Sequence, residues 1–223
     1  MGERGRGRVA FLVLAMMCGP AIATTTGEAG VRSATEFRGY VVGGKSAAGL
    51  VSYMRRRPFR GDNGPAVANI RPHYTLSVDT TYSDAVCAVK DLDLNINFVM
   101  TLPQARTPGA FSPGTRSAWN GFVDFARRHE EVHRTIYLDC ADSIAAKALQ
   151  LAAASCTELR ARIDDMFKAD NRACERRQRG FDRGEYRRLL RLSLFRAPRY
   201  AKHKASPAHR GFFPSSAMGA PSR

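Results

Sequence analysis

The stretch Trp119–Ala153 constrains this chain more than any other. Set on a helix, it aligns Phe122, Phe125, Ala126, His129, His133, Ile136, Tyr137, Cys140 and Ile144 along one face. That is the i, i+3, i+4, i+7 recurrence of an amphipathic helix, which needs other elements to cover it. Inside the stripe lies His129-Glu130-Glu131-Val132-His133. Histidines four apart stand one turn apart on the same surface. Their imidazoles reach one ion at about 2.0–2.1 Å without unwinding the helix. This is the His-Glu-x-x-His pattern, in which two imidazoles bind zinc and the first Glu is a general base. Glu131 points away on the helical wheel and reads as solvated. The plainer reading, two unrelated histidines on a helix face, is the weaker one in a chain with only five His.

The flanking sequence supplies a sheet and a second helix. Thr24–Thr35 has no period and reads as a leader to the fold, and Phe37–Val42 reads as a strand ended by Gly43-Gly44. Ala47–Arg55 carries Leu50, Val51 and Met54 at helical spacing, while Arg60–Pro65 has the composition of a loop, its Arg-Gly-Asp a turn. Arg71–Val78 alternates as a second strand. In Leu92–Met100 the apolar Leu92, Leu94, Ile96, Phe98 and Met100 alternate with Asp93, Asn95, Asn97 and Val99, as in a sheet with one buried face. Leu102-Pro103 is expected to end that strand, Thr107–Thr115 to be a loop, and Ser117 to cap the long helix. Ser155-Cys156-Thr157-Glu158 is a capping box opening a second helix with Leu159, Ile163, Met166 and Phe167 inward, and Gly180 is its expected stop. The two long helices should form an antiparallel hairpin on the sheet, an α+β fold.

Targeting and redox signals agree with export. Arg4, Arg6 and Arg8 precede an apolar run over Val9–Cys18 and a small-residue Ala21-Ile22-Ala23, so residues 1–23 read as a signal peptide. The run is too short and too interrupted by Gly19-Pro20 to span a bilayer. The chain would work in the periplasm or outside the cell. The remaining Cys87, Cys140, Cys156 and Cys174 are an even set without Cys-x-x-Cys spacing, which points to two disulfides and not to a zinc knuckle. Three pairings are open, and a bridge through Cys87 is expected to tie the hairpin to the sheet. The net charge of +15 falls to +13 once Glu3 and the three leader arginines are gone. Residues 183–223 hold ten Lys or Arg against one Glu. Tyr186–Phe195 mixes Leu with Arg and reads as a short helix, followed by a basic, disordered tail.

A catalytic zinc takes three protein ligands and keeps a place for water. Asp139, six residues past His133, swings off the histidine face if the helix continues, because Ile136 stands where a turning Gly would be needed. Glu158 sits at the far end of the hairpin. The returning helix comes level with His133 near residues 175–185, which makes Glu175, Asp182 and Glu185 the candidates. Asp182 is preferred, since Gly180 allows the chain to turn inward there. His203 and His209 stand in reserve. An exposed edge strand beside the helix would hold an extended peptide by main-chain pairing, and Leu92–Met100 is the candidate.

Several of these residues resemble a bacterial family of predicted secreted zinc-dependent proteases catalogued as a domain of unknown function. They are Tyr40-Val41-Val42-Gly43 with Leu50 and Met54, Gly64-Pro65, Cys87, Thr101-Leu102-Pro103, Trp119 and Phe122, His129-Glu130-x-x-His133, and Cys156. The likeness covers roughly residues 36–185, with 186–223 left as a tail. It implies a zincin-like fold, a small antiparallel or mixed sheet packed on a long helical hairpin carrying the motif, and a peptidase activity. The family often shows Tyr-Asp-x-x-Thr-x-His-Gly where this chain reads Phe181-Asp182-Arg183-Gly184-Glu185-Tyr186-Arg187-Arg188. The Asp is kept and Arg187 replaces the His.

The expectation is an exported zinc metallopeptidase acting on peptides or proteins, with His129, His133 and Asp182 as ligands of Zn2+ and Glu130 as general base. The alternative is a non-catalytic envelope protein of the same fold, binding an anionic partner such as a membrane surface through its basic tail. Nucleic acid is not an expected partner of an exported chain.

Overall fold

The computed structural model describes residues 28–62 and 64–196, so the signal peptide assigned to residues 1–23 and the tail beyond residue 196 lie outside the described residues. In order, the chain forms β1 (Glu28–Val42), α1 (Ala47–Arg56), the short strands β2 (Phe59–Gly61) and β3 (Gly64–Ala66), β4 (Asn69–Ser83) and β5 (Val86–Ala105). There follow α2 (Pro113–Ala148), the two-residue β6 (Ala152–Ala153) and α3 (Cys156–Leu189). The fold is α+β with one mixed sheet. Its strand order is β1-β5-β4, with β5 parallel to β1 and antiparallel to β4, while β6 pairs with β5 at Cys87 and Ala88.

The alternation of Leu92–Met100 sets which face of the sheet is buried. All five apolar residues of that run are core, and they pack with Ala126, Tyr137, Cys140 and Ala141 of α2 and with Leu159, Ile163 and Cys174 of α3. Thr80 pairs with Val89 but Asp79 pairs with Asp91, leaving Lys90 as an extra residue. One inserted residue shifts the two-residue period by one. The bulge therefore keeps Cys87 and Val89 on the same buried side as Leu92.

Several boundaries differ from those expected. β1 begins at Glu28, inside the supposed leader, because parallel pairing to β5 from Asp91 onward outweighs its weak apolar pattern. The Arg60–Pro65 loop is bracketed by the β2–β3 pair. β5 passes through Pro103 to Ala105. Beyond Thr101 only β1 flanks it, and proline is tolerated on such an unpaired side. β5 is the central strand, so Leu92–Met100 is no exposed edge; β1 and β4 are the edges. β4 and β5 are joined by Asp84 and Ala85, both at positive φ, a two-residue hairpin turn without the usual glycine.

The long helix starts earlier than Ser117. Ser112 is its N-cap, accepting from the Thr115 amide, with Pro113 in the first turn. Ser155 caps α3 as its sequence indicates, accepting from the Glu158 amide. Gly180 does not end α3, which continues to Leu189. A mid-helix Gly costs about 1 kcal/mol, which the burial of Leu189 and the hydrogen bonds of Gln178 to His133 on either side of it offset. Residues 193–196 add one more helical turn. Leu194 and Phe195 are buried with Val42, Leu50, Trp119 and Phe122 in a second core, so the fold holds the first part of what reads as a tail.

α2 and α3 run antiparallel. Tyr137 donates to Glu175, Cys140 is bonded to Cys174, and Lys147 pairs with Asp170. The other disulfide, Cys87–Cys156, fixes the first residue of α3 to β5. Two such bonds suit an oxidising compartment. Among the described residues no helix is long and apolar enough to cross a membrane.

With residues 1–23 absent, thiol titration of denatured, unreduced protein should detect no free cysteine. Replacing Cys140 and Cys174 together by Ala should lower unfolding stability by about 2–4 kcal/mol in a denaturant titration.

Candidate metal centre

His129 and His133 lie one turn apart on α2, and α3 brings Asp182 against them. His133 Nε2 is 2.9 Å from Asp182 Oδ1, His129 Nε2 is 3.1 Å from the same oxygen, and the two Nε2 atoms are 3.0 Å apart. Phe181 closes the apolar side, its ring 4.8 Å from that of His129 and 5.0 Å from that of His133. The Asp182 side chain keeps 48% of its surface, so the cluster opens to solvent on that side.

Gln178, one turn before Asp182, fixes the proton on His133. Its Nε2 lies 3.1 Å from the His133 backbone oxygen, which can only accept, so the amide orientation is determined. Gln178 Oε1 then faces His133 Nδ1 at 2.5 Å, and Nδ1 must be the donor. In a neutral ring that leaves a lone pair on His133 Nε2, facing Asp182 and His129. His129 can place at most one proton here. Three electron-pair donors within 3.1 Å of one another therefore call for a positive charge among them.

In the metal-free chain a proton meets that need. Burial disfavours charge on His133, but hydrogen bonds to Asp182 and Gln178 and the carboxylates of Asp182 and Glu130 outweigh it and raise the pKa. Burial likewise pushes Asp182 up, yet its hydrogen bonds with both histidines hold it well below the usual carboxylate range. A divalent cation would meet the same need. Tetrahedral ligands at about 2.0–2.1 Å sit roughly 3.3 Å apart, close to the spacing of these three atoms. The donor set, two imidazoles and one carboxylate, fits zinc. His133 has the outer hydrogen bond that metal-ligating histidines generally make, whereas His129 Nδ1 is buried with no partner among the described residues.

Glu130 is on the buried side of α2, with only 3% of its surface exposed. Burial drives its pKa up to about 7, against the pull of His129 and His133, with Asp182 adding to the rise and the Ile70 backbone of β4 easing it. A carboxyl group poised near neutrality beside three convergent ligand atoms can both take and return a proton.

The structure thus brings together His129, His133 and Asp182, with Glu130 alongside. Asp182 arrives by an uninterrupted helix and not by a turn at Gly180. Glu175 is engaged by Tyr137, Glu185 by Arg188, Asp139 by Arg177 and Glu158 by Arg162. Arg187 is exposed. His203 and His209 lie outside the described residues. Sequence reasoning missed Gln178 and Phe181. The signal for Gln178 was its place four residues after Cys174 and four before Asp182, on one helical face.

A family model described as a bacterial protein of unknown function (DUF922) matches residues 37–187. No curated protein and no solved structure matches the chain.

A raised folded-state pKa at Glu130 favours folding while the carboxyl is protonated, and that contribution is lost as pH rises through about 7. In metal-free protein, Glu130→Gln should therefore stabilise at pH 8 by up to about 3 kcal/mol and have little effect at pH 4. Thermal unfolding at the two pH values measures the difference.

Proposed function

We propose that this chain, which belongs to the DUF922 family of bacterial proteins, is an exported zinc-dependent hydrolase that cleaves peptide bonds. The observation that carries the reading is the convergence of His129 Nε2, His133 Nε2 and Asp182 Oδ1 beside a buried Glu130. A long helix with His-Glu-x-x-His, packed on a mixed sheet, is also what a zincin-like fold requires.

His129, His133 and Asp182 would hold the ion, and the chemistry zinc supplies in such a site is a water of lowered pKa, toward about 7, and a polarised carbonyl. Gln178 keeps His133 in the tautomer whose Nε2 lone pair faces the ligand position. Glu130 accepts a proton from water on its carboxylate and passes it to the leaving amine, the two-way transfer that a pKa near neutrality favours. Ile70 of β4 approaches Glu130, and β4 is an edge strand, so an extended peptide paired along β4 would pass the base.

Two histidines and a carboxylate also suit non-haem iron; a buried carboxyl group of raised pKa in place of a dry, apolar pocket favours hydrolysis. Purified protein should hold close to one zinc per chain by elemental analysis. Glu130→Gln should retain that zinc while peptide hydrolysis falls about 10²–10⁴-fold. Undiminished hydrolysis would refute the mechanism, and wild-type protein that holds zinc but cleaves no peptide would leave a non-catalytic metal-binding fold.

Asp182→Ala should lower zinc affinity by orders of magnitude, and Gln178→Leu by about 10–100-fold, with helical circular dichroism unchanged. Calorimetric zinc titration of each variant checks both.

A further inference from the structure

Arg172, Arg176, Arg179, Arg183 and Arg187 are all exposed on α3. Their steps of four, three, four and four residues put them on one stripe roughly 80° wide and about 22 Å long. Among the described residues none of the five is in an ion pair, whereas their neighbours Arg177 and Arg188 pair with Asp139 and Glu185. Residues 197–223 contain no Asp or Glu side chain to neutralise the stripe. Like charges four apart on a helix destabilise it, so nothing within the fold explains why the sequence keeps them.

The geometry selects the partner. The stripe lies on the convex outer side of a helix, opposite the buried Cys174 and Gln178, and has no walls to grip a single polymer strand. A flat surface touches all five guanidinium groups at once. Each guanidinium offers paired donors matched to phosphate oxygens. Gly180 and Gly184 flank the row on one side, and the exposed ring of Tyr186 stands beside its C-terminal end on the other. With five guanidinium groups to one ring, contact would be chiefly electrostatic adsorption. Asp182 sits between Arg179 and Arg183 in sequence and about a quarter-turn round the helix, so a surface bound there lies beside the metal cluster.

We propose that this arginine stripe docks the folded domain on an anionic phospholipid surface. The docking is independent of zinc and of hydrolysis, and it does not use the basic tail.

The test is vesicle co-sedimentation of the mature full-length chain, with phosphatidylcholine alone and with added phosphatidylglycerol. Wild type should bind only the anionic vesicles and release as salt shortens the Debye length. Each stripe arginine is worth about fivefold in partitioning, so R176Q/R179Q/R183Q should bind roughly 100-fold more weakly. The control K45Q/R116Q/R160Q removes the same charge elsewhere and should bind within a few-fold of wild type, as should protein ending at residue 196. Thermal unfolding of the variants verifies that they are folded. The proposal is overturned if the full chain ignores anionic vesicles, if the control loses as much as the stripe variant, or if truncation at residue 196 abolishes binding. Binding to soluble polyphosphate without vesicle adsorption would overturn it too, in favour of a linear polyanion.

Discussion

The register between α2 and α3 is the constraint on which the site depends. Asp182 and His129 are 53 residues apart, and they meet only because the returning helix is held at one position along the outgoing one. The Cys140–Cys174 bond and the Tyr137–Glu175 hydrogen bond set that position from one side of the cluster. Gln178 extends it by gripping both the ring and the backbone carbonyl of His133. A slip of one residue would turn Asp182 about 100° away. On the opposite flank Arg134 anchors α2 to β1 through Thr35 and Ser33 and lies over Phe98, so the histidines sit on a helix fixed from both sides.

That rigidity maintains a cluster that needs a positive charge among its donor atoms, met by a proton in the metal-free chain. Glu130 is buried as a carboxyl, Asp182 meets two imidazole nitrogens, and His129 Nδ1 has no hydrogen-bond partner among the described residues. The unpartnered His129 Nδ1 costs about 1–3 kcal/mol, and burial of the Glu130 carboxyl adds to it. The two apolar cores lie on either side of the cluster: the sheet core toward the C-terminal half of α2, and the smaller core of α1, Trp119, Phe122, Leu194 and Phe195 toward its start. Together they offset the cost and hold the polar groups in place.

Charge is distributed to match. Among the described residues, arginines such as Arg172, Arg179 and Arg183 are exposed, while Glu130 is buried and Asp182 stands half-exposed against the two histidines. The exposed Arg177 and Arg162 have carboxylate partners in Asp139 and Glu158; the α3 stripe has none among the described residues.

The period-two run Leu92–Met100, the helical stripe carrying His129 and His133 and the Ser155 cap were legible because each is a local pattern with a direct physical cause: pleating, helical pitch, a side chain satisfying a free amide. Helix rise narrowed the third position to Glu175, Asp182 and Glu185. The preference for Asp182 rested on a turn at Gly180 that α3 does not make and on the Asp kept in the family stretch. What the sequence could not supply was pairing and packing between distant segments. It did not reveal that β5 is central, that β1 reaches back to Glu28, or that α3 runs through Gly180, since each follows from contacts formed across the fold. The pairing of four cysteines was open in the same way. Gln178 reads in sequence as one more polar residue among arginines. Only the helix pairing shows it buried against His133, fixing where the proton sits, because a tautomer is decided by its hydrogen-bond partner and that partner comes from 45 residues away.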